Sequence, residues 1–207
     1  MEALARCDEP PPPLTGSAAA ACWAMLAAAG PTPSYEAQLA LQTRWNAVGQ
    51  PTLAHPGVPE AIRLAILREY LPAQRDTDPR LLIEGLLLPD APRDEEERPT
   101  HAWAAHAALE QAGFSPSAPI SAGQEYQQGA GTYHVVRTAQ FSVTVSDLGP
   151  WLDSEEAPSE ALAALAAAGL EALDAVLLGR TVEGLPVYFF GERKPLPVSD
   201  LLFYWQD

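Results

Sequence analysis

Apolar residues recur at helical spacing through the first half of the chain. An almost entirely apolar, alanine-rich run from Ala18 to Ala29 predicts a central helix that stops at Gly30 and Pro31. Capping residues, apolar stripes and helix-ending prolines predict four more helices. These lie near residues 35–45, 59–71, 80–88 and 100–113. The pattern therefore favours a helical N-terminal half.

The pattern changes to short runs of β-branched and aromatic residues after Pro116. Two such runs between Thr132 and Asp147 predict a β-hairpin. A helix is predicted from Ser159 to Leu173, followed by a second hairpin that turns at Glu183–Gly184 and a final strand in the closing residues LLFYWQD. Because the strands follow the helices, we expect an α+β fold in which the helical half packs on a small, late antiparallel sheet.

Proline and charge mark the expected divisions of the chain. The Pro10–Pro13 run predicts an extended N-terminal arm over residues 1–13. An α+β core is expected over residues 14–150, interrupted by a proline-bracketed charged loop at residues 89–99. Residues 151–207 are expected to form an acidic helix–hairpin extension packed on that core.

The charge balance disfavours two classes of binding partner. The 207 residues include 27 Asp and Glu against 12 Lys and Arg, a formal charge of -15. Such a surface repels phosphate backbones and anionic lipid, so neither nucleic acid nor a membrane is an expected partner. Apolar runs are also too short to span a bilayer. We expect a cytoplasmic protein.

The sequence predicts no bound cofactor and no metal centre. Cys7 and Cys22 are too few for a disulfide framework, which favours a reduced compartment. His101 and His106 are five positions apart and do not share a helix face, so with Glu110 they form no convincing ligand set. His55 is interpreted as a loop residue.

Three residues could form a nucleophilic site. Cys22 is predicted close to the start of the alanine-rich helix, where the helix dipole favours a thiolate. His134 begins the first strand of the predicted hairpin and Asp147 ends the second, which places both at the same end of the hairpin. A carboxylate there could fix the tautomer of a histidine base. The alternative for Cys22 is a small buried thiol in an apolar helix.

The segments around these residues resemble papain-like cysteine peptidases of the bacterial leader-processing and effector type. The resemblance covers about residues 14–149 and rests on CWAMLAAAGPTPSYEAQLAL, HPGVPEAIRLAILREY and YHVVRTAQFSVTVSD. It implies a papain-like fold and acyl transfer on a peptide or amide, with Cys22 as nucleophile, His134 as general base and Asp147 as orienting carboxylate. A catalytically degenerate, binding-only member of the family is the alternative.

A second resemblance concerns the acidic end of the chain. Residues 151–207 hold ten acidic and three basic residues, a net charge of -7. With the preceding strand, about Phe141 to Asp207 is similar to the final part of the nuclease A inhibitor family. This likeness implies an acidic protein-interaction module that binds a basic protein partner. Its docking patch would contain Phe189, Phe203, Tyr204 and Trp205 if these are partly exposed.

Overall fold

The computed structural model describes residues 14–30, 33–47, 57–71, 76–86, 100–154 and 156–206. The chain divides into two compact units, one of residues 1–91 and 181–196 and the other of residues 92–180 and 197–207. The segment 151–207, expected as a single extension, is thus shared between both units. Several predictions fall outside the described residues: the N-terminal arm, the charged loop at 89–99, Cys7 and His55.

Helices form where the apolar spacing predicts them in the first half, and the structure as a whole is a mixed α+β arrangement. In chain order the helices are α1 (Gly16–Ala29), α2 (Tyr35–Ala47), α3 (Glu60–Tyr70), α4 (Pro79–Leu86), α5 (Thr100–Gln111), α6 (Ala122–Tyr126), α7 (Ser159–Ala167), α8 (Ala175–Leu178) and α9 (Val198–Leu202). The first five confirm the sequence prediction to within a few residues.

Strands are confined to the second half of the chain in the part that the structure describes. They are β1 (Ile120–Ser121), β2 (Ala130–Gly131), β3 (Tyr133–Arg137), β4 (Ser142–Ser146), β5 (Trp151–Asp153), β6 (Glu171–Ala172), β7 (Thr181–Phe189), β8 (Glu192–Pro197) and β9 (Trp205–Gln206). The predicted hairpin between Thr132 and Asp147 is confirmed as β3 and β4.

In the first unit, α1 is the helix around which an apolar cluster assembles. It ends at Gly30, which has a positive φ of 73° and donates its N–H to the Leu26 carbonyl. Cys22 is the buried residue of this helix. We call its surroundings the thiol cluster, which has as its buried members Cys22, Leu41, Trp45 and Ile83.

Two ion pairs brace the helices of the same unit. Arg63 of α3 pairs with Glu84 of α4, and both side chains are largely buried. Asp78, just before α4, holds Arg80 through an Nη2–Oδ2 contact of 2.9 Å, with 7% and 5% of the two side chains exposed. The Asp78 carboxylate also accepts the Arg80 backbone N–H and so caps the helix start.

The second predicted hairpin has its turn elsewhere. The expected turn at Glu183–Gly184 is wrong, because β7 runs unbroken through both residues to Phe189. The chain reverses instead at Phe190 and Gly191, which have φ of 43° and 97°. Two consecutive positive φ angles suit a two-residue hairpin turn. Gly184 lies inside β7 and has a φ of 78°, and in the sequence it looks like a turn glycine.

The second unit is built on a five-stranded sheet in the order β1-β3-β4-β5-β6. Neighbouring strands are antiparallel except β5 and β6, which run parallel, so the expectation of an entirely antiparallel sheet is wrong at this edge. The parallel pair arises because α7 ends at Ala167, short of the predicted Leu173. The residues after Gly169 then return along the sheet as β6.

Each face of this sheet packs on different elements. One face, covered by α5 and α7, forms a cluster whose buried members are Ala102, Ala105, Ala108, Leu109, Val136, Phe141, Val143, Val145, Leu152, Ala161, Leu165 and Leu170. The other face presents Tyr133 and Val135, which pack with Ala122, Phe203 and Trp205. Alternate residues of β3 therefore serve two cores, as the period of a strand requires.

The closing residues form the end of a short helix and then a short strand, not one continuous strand. The expected strand over LLFYWQD is wrong for its first residues, because Leu201 and Leu202 belong to α9, and β9 contains only Trp205 and Gln206. Buried hydroxyls hold this end against the hairpin. Ser146 Oγ donates to the Leu202 carbonyl at 2.9 Å, and Thr132 Oγ1 donates to the same carbonyl at 3.1 Å.

None of the helices in the described ranges has both the length and the apolar character needed to cross a membrane.

Candidate functional site

The predicted histidine base lies on an interior strand of the five-stranded sheet. His134 is the second residue of β3, which pairs with β1 on one side and β4 on the other. Val145 lies directly across from it on β4. Opposed residues of an antiparallel pair point to the same face, so the imidazole projects from the face that α5 and α7 cover. It sits at the open end of the hairpin.

Asp147 meets the imidazole at that open end. Its Oδ1 lies 2.7 Å from His134 Nδ1. The backbone fixes the position of the carboxylate, because the Asp147 N–H donates to the Thr132 carbonyl at 2.7 Å and continues the ladder by one bond. The aspartate side chain is 7% exposed and the histidine side chain 17% exposed. Solvent therefore reaches the pair at the histidine.

This contact determines what the imidazole can do. An ionised carboxylate only accepts hydrogen bonds, so Nδ1 carries the proton in the contact with Asp147. In the neutral ring Nε2 is then the proton acceptor. A histidine oriented in this way by a buried carboxylate is the arrangement that general-base catalysis uses.

Cys22 has a different environment. It belongs to the first unit, whereas His134 and Asp147 belong to the second. Only 1% of the cysteine is exposed, and Leu41, Trp45 and Ile83 enclose it in the thiol cluster. The structure thus brings the predicted base and its carboxylate together and places the predicted nucleophile in an apolar core.

The setting of the thiol does not favour a thiolate. The helix begins at Gly16, so Cys22 lies nearly two turns from its start, and the helix dipole acts mainly within the first turn. Burial raises the pKa of Cys22, the negative charge of Asp78 raises it further, and Arg80 opposes both effects. The thiol is therefore protonated at neutral pH.

Ser121 is the polar neighbour of His134 that sequence reasoning missed. It lies directly across from the histidine, on the edge strand β1. A strand of two residues has no alternating pattern, so nothing in the sequence indicates that Ser121 faces His134. Its hydroxyl is the N-cap of α6 and accepts the Gln124 N–H at 3.3 Å.

The remaining histidines of the described chain lie on α5. The ring of His106 packs edge-on against Trp103, with 5.4 Å between ring centroids. In the part of the chain that the structure describes, no group of three or more His, Cys, Asp or Glu side chains is arranged to hold a metal ion.

In comparisons with known proteins, no protein-family model, no curated protein and no solved structure matches this chain. Both resemblances therefore rest on the sequence motifs alone.

The environment of Cys22 makes a prediction about its reactivity. In a Cys7→Ser variant, iodoacetamide should label Cys22 on the order of 10-fold or more slowly in the folded protein than in urea, because the buried thiol is neutral and enclosed. The folded-state rate should keep rising with pH above the ordinary thiol range, since burial and Asp78 raise the pKa. Rapid labelling of the folded protein at mildly acidic pH would show instead a thiolate paired with an imidazolium.

Proposed function

We propose that the protein hydrolyses a peptide or amide bond by acyl transfer, in the manner of a papain-like cysteine hydrolase. His134 is the general base and Asp147 the carboxylate that orients it. The observation that supports this proposal is the 2.7 Å contact between His134 Nδ1 and Asp147 Oδ1 at the open end of the hairpin. It leaves Nε2 of a partly exposed imidazole as a proton acceptor.

The chemistry follows from that tautomer. Nε2 takes the proton of the attacking group. The deprotonated group adds to the carbonyl carbon of the substrate and forms a tetrahedral intermediate. The imidazolium then gives this proton to the leaving amine as the C–N bond breaks. A water molecule, deprotonated by the same nitrogen, hydrolyses the acyl-enzyme. Asp147 stays ionised throughout and stabilises the imidazolium.

The resemblance to papain-like peptidases assigns the attack to Cys22. Since this thiol is buried in the thiol cluster and its pKa is raised, the role requires that the thiol be uncovered and lose its proton. A Cys22 that stays enclosed would make the chain a degenerate member of the family with respect to cysteine chemistry. Thiol labelling separates these two forms.

Removal of the imidazole tests the proposal. With fluorescein-labelled casein and a mixed fluorogenic peptide library as substrates, His134→Ala should lower hydrolysis by about 10²-fold or more, since general-base catalysis is worth that much. Asp147→Asn should also lower it, because the amide no longer fixes the tautomer.

The matched control is His106→Ala, which removes another partly buried histidine from the same unit. Its activity should equal that of the wild type. Full activity of His134→Ala, or no hydrolysis of any substrate by the folded wild-type protein, would contradict the proposal.

A second candidate function has support from the β7–β8 hairpin. In this hairpin 41% of Tyr188, near the end of β7, and 58% of Phe190, in the turn, are exposed to solvent. Phe189 is partly buried and packs edge-on against Phe190, with 4.7 Å between ring centroids. Large aromatic side chains presented to solvent are typical of docking surfaces. Together with the net charge of -15, this supports binding to a basic protein.

The other aromatic residues expected in a docking patch are Phe203, Tyr204 and Trp205. All three are partly exposed, and they belong to the second unit, whereas Phe189 belongs to the first.

Binding to a basic protein should depend on Phe190, in the turn between β7 and β8, and on the salt concentration. We expect Phe190→Asn to weaken association with an immobilised basic nuclease while leaving the fold intact, since asparagine tolerates the positive φ of this position. Association should also fall at ~1 M salt, where the Debye length is about 3 Å. Val176→Asn, which alters an exposed apolar residue elsewhere, is the control. Binding indifferent to salt and to Phe190→Asn would exclude this function.

A further inference from the structure

The edge of the five-stranded sheet brings a hydroxyl next to the histidine base. Ser121 on β1 is the register partner of His134 on β3. Residues directly opposed in an antiparallel pair share a face, with Cβ atoms about 4.5–5.5 Å apart. Ser121 therefore projects from the same side of the sheet as the imidazole. All of these residues belong to the second unit.

The local structure fixes the serine but leaves its proton free. In a capping box, the Ser121 hydroxyl accepts the Gln124 N–H at 3.3 Å and the Ser121 N–H donates to Gln124 Oε1 at 2.9 Å. The hydroxyl uses only a lone pair in this bond, so its own hydrogen can rotate toward another acceptor. The cap holds the oxygen in place without using the O–H.

The imidazole offers its acceptor at the same time. Because Nδ1 is hydrogen-bonded to Asp147, just after β4, Nε2 is the unprotonated nitrogen of the neutral ring. Asp147 just past β4, His134 on β3 and Ser121 on β1 thus succeed one another, with the histidine in the middle. Both the serine and the histidine are partly exposed, so a substrate can approach them.

We propose that Ser121 is the nucleophile that His134 activates, so that the second unit contains a complete serine hydrolase site acting on esters or amides of carboxylic acids. This inference rests on the proposed function, since it uses the same histidine and carboxylate, His134 and Asp147. It differs in the attacking group, which is Ser121 in place of Cys22. The Oγ–H proton passes to Nε2, and Oγ forms a bond to the acyl carbon. The leaving alcohol or amine takes the proton from the imidazolium as its bond to carbon breaks. Water, with His134 again as base, then releases the acid and regenerates Ser121.

Two probes test the assignment on the full-length chain. A fluorophosphonate reporter forms a bond between a serine Oγ and phosphorus with loss of fluoride, and peptide mass spectrometry identifies the modified residue. Hydrolysis of p-nitrophenyl acetate gives the accompanying rate. The wild-type protein should be labelled at Ser121, and Ser121→Ala should lose the label and at least ~10²-fold of the hydrolysis rate.

A second variant keeps the outcome interpretable if the loss of the cap unfolds α6. Ser121→Asn removes the hydroxyl, yet asparagine is among the preferred N-cap residues, so the helix start is retained. This variant should be as inactive as Ser121→Ala. Ser142→Ala, which alters an exposed serine of β4, is the matched control and should behave as the wild type.

The variants also separate this inference from the proposed function. Loss of activity in both Ser121→Asn and His134→Ala with full activity in Cys22→Ala supports the serine assignment and the role of His134 in the proposed function, and it excludes Cys22 as the nucleophile. Activity that survives Ser121→Asn but disappears in Cys22→Ala and His134→Ala overturns the serine assignment and leaves the cysteine hydrolase. Activity that survives His134→Ala, or a folded wild-type protein that neither takes the label nor hydrolyses the ester, overturns both.

Discussion

The hydrogen bond between His134 and Asp147 depends on the register of one hairpin. His134 lies opposite Val145, and Asp147 lies two residues further along the chain, just past the end of β4, so both side chains leave the same face at the open end. A shift of the pairing by one residue would turn the imidazole to the opposite face of the sheet. Every chemical role suggested for this molecule presupposes that register.

Packing on both faces of the sheet secures the register. On one side Val136, Val143 and Val145 are fully buried beneath α5 and α7. On the other side Tyr133 and Val135 pack with Phe203 and Trp205 near the chain end. A β3 shifted by one residue would move Val136 to the face that Tyr133 and Val135 occupy, and those two residues to the face beneath α5 and α7. The hydroxyls of Thr132 and Ser146, both bonded to the Leu202 carbonyl, add a polar constraint at the same end.

Local signals explain what could be predicted from the sequence. The β-branched runs define the β3–β4 hairpin, and the places of His134 and Asp147 at its open end then follow from counting, which is why their proximity could be predicted. The five helices of the first half follow from apolar spacing and from caps. The exposure of Tyr188 and Phe190 does not follow from the sequence pattern, which predicts the hairpin turn at Glu183–Gly184, whereas the chain reverses at Phe190 and Gly191.

The features that escaped prediction depend on non-local contacts. Ser121 meets His134 only because a two-residue strand pairs across the sheet. The position of Cys22 within α1 depended on where the helix starts, and a start at Gly16 removes the thiol from the first turn. Its burial depends on Leu41 and Trp45 of α2 and on Ile83 of α4, which are two other stretches of chain. As a result, the acid–base pair and the thiol have contrasting environments, one partly exposed and polar, the other apolar and enclosed.

The tautomer of His134 tests the central claim most directly. Nitrogen-15 NMR of the histidine side chains, assigned by comparison with His134→Ala, distinguishes a protonated from an unprotonated ring nitrogen. The account predicts that neutral His134 carries its proton on Nδ1, hydrogen-bonded to Asp147, with Nε2 unprotonated. A neutral ring protonated on Nε2 would contradict it, because that nitrogen could then accept no proton from a nucleophile.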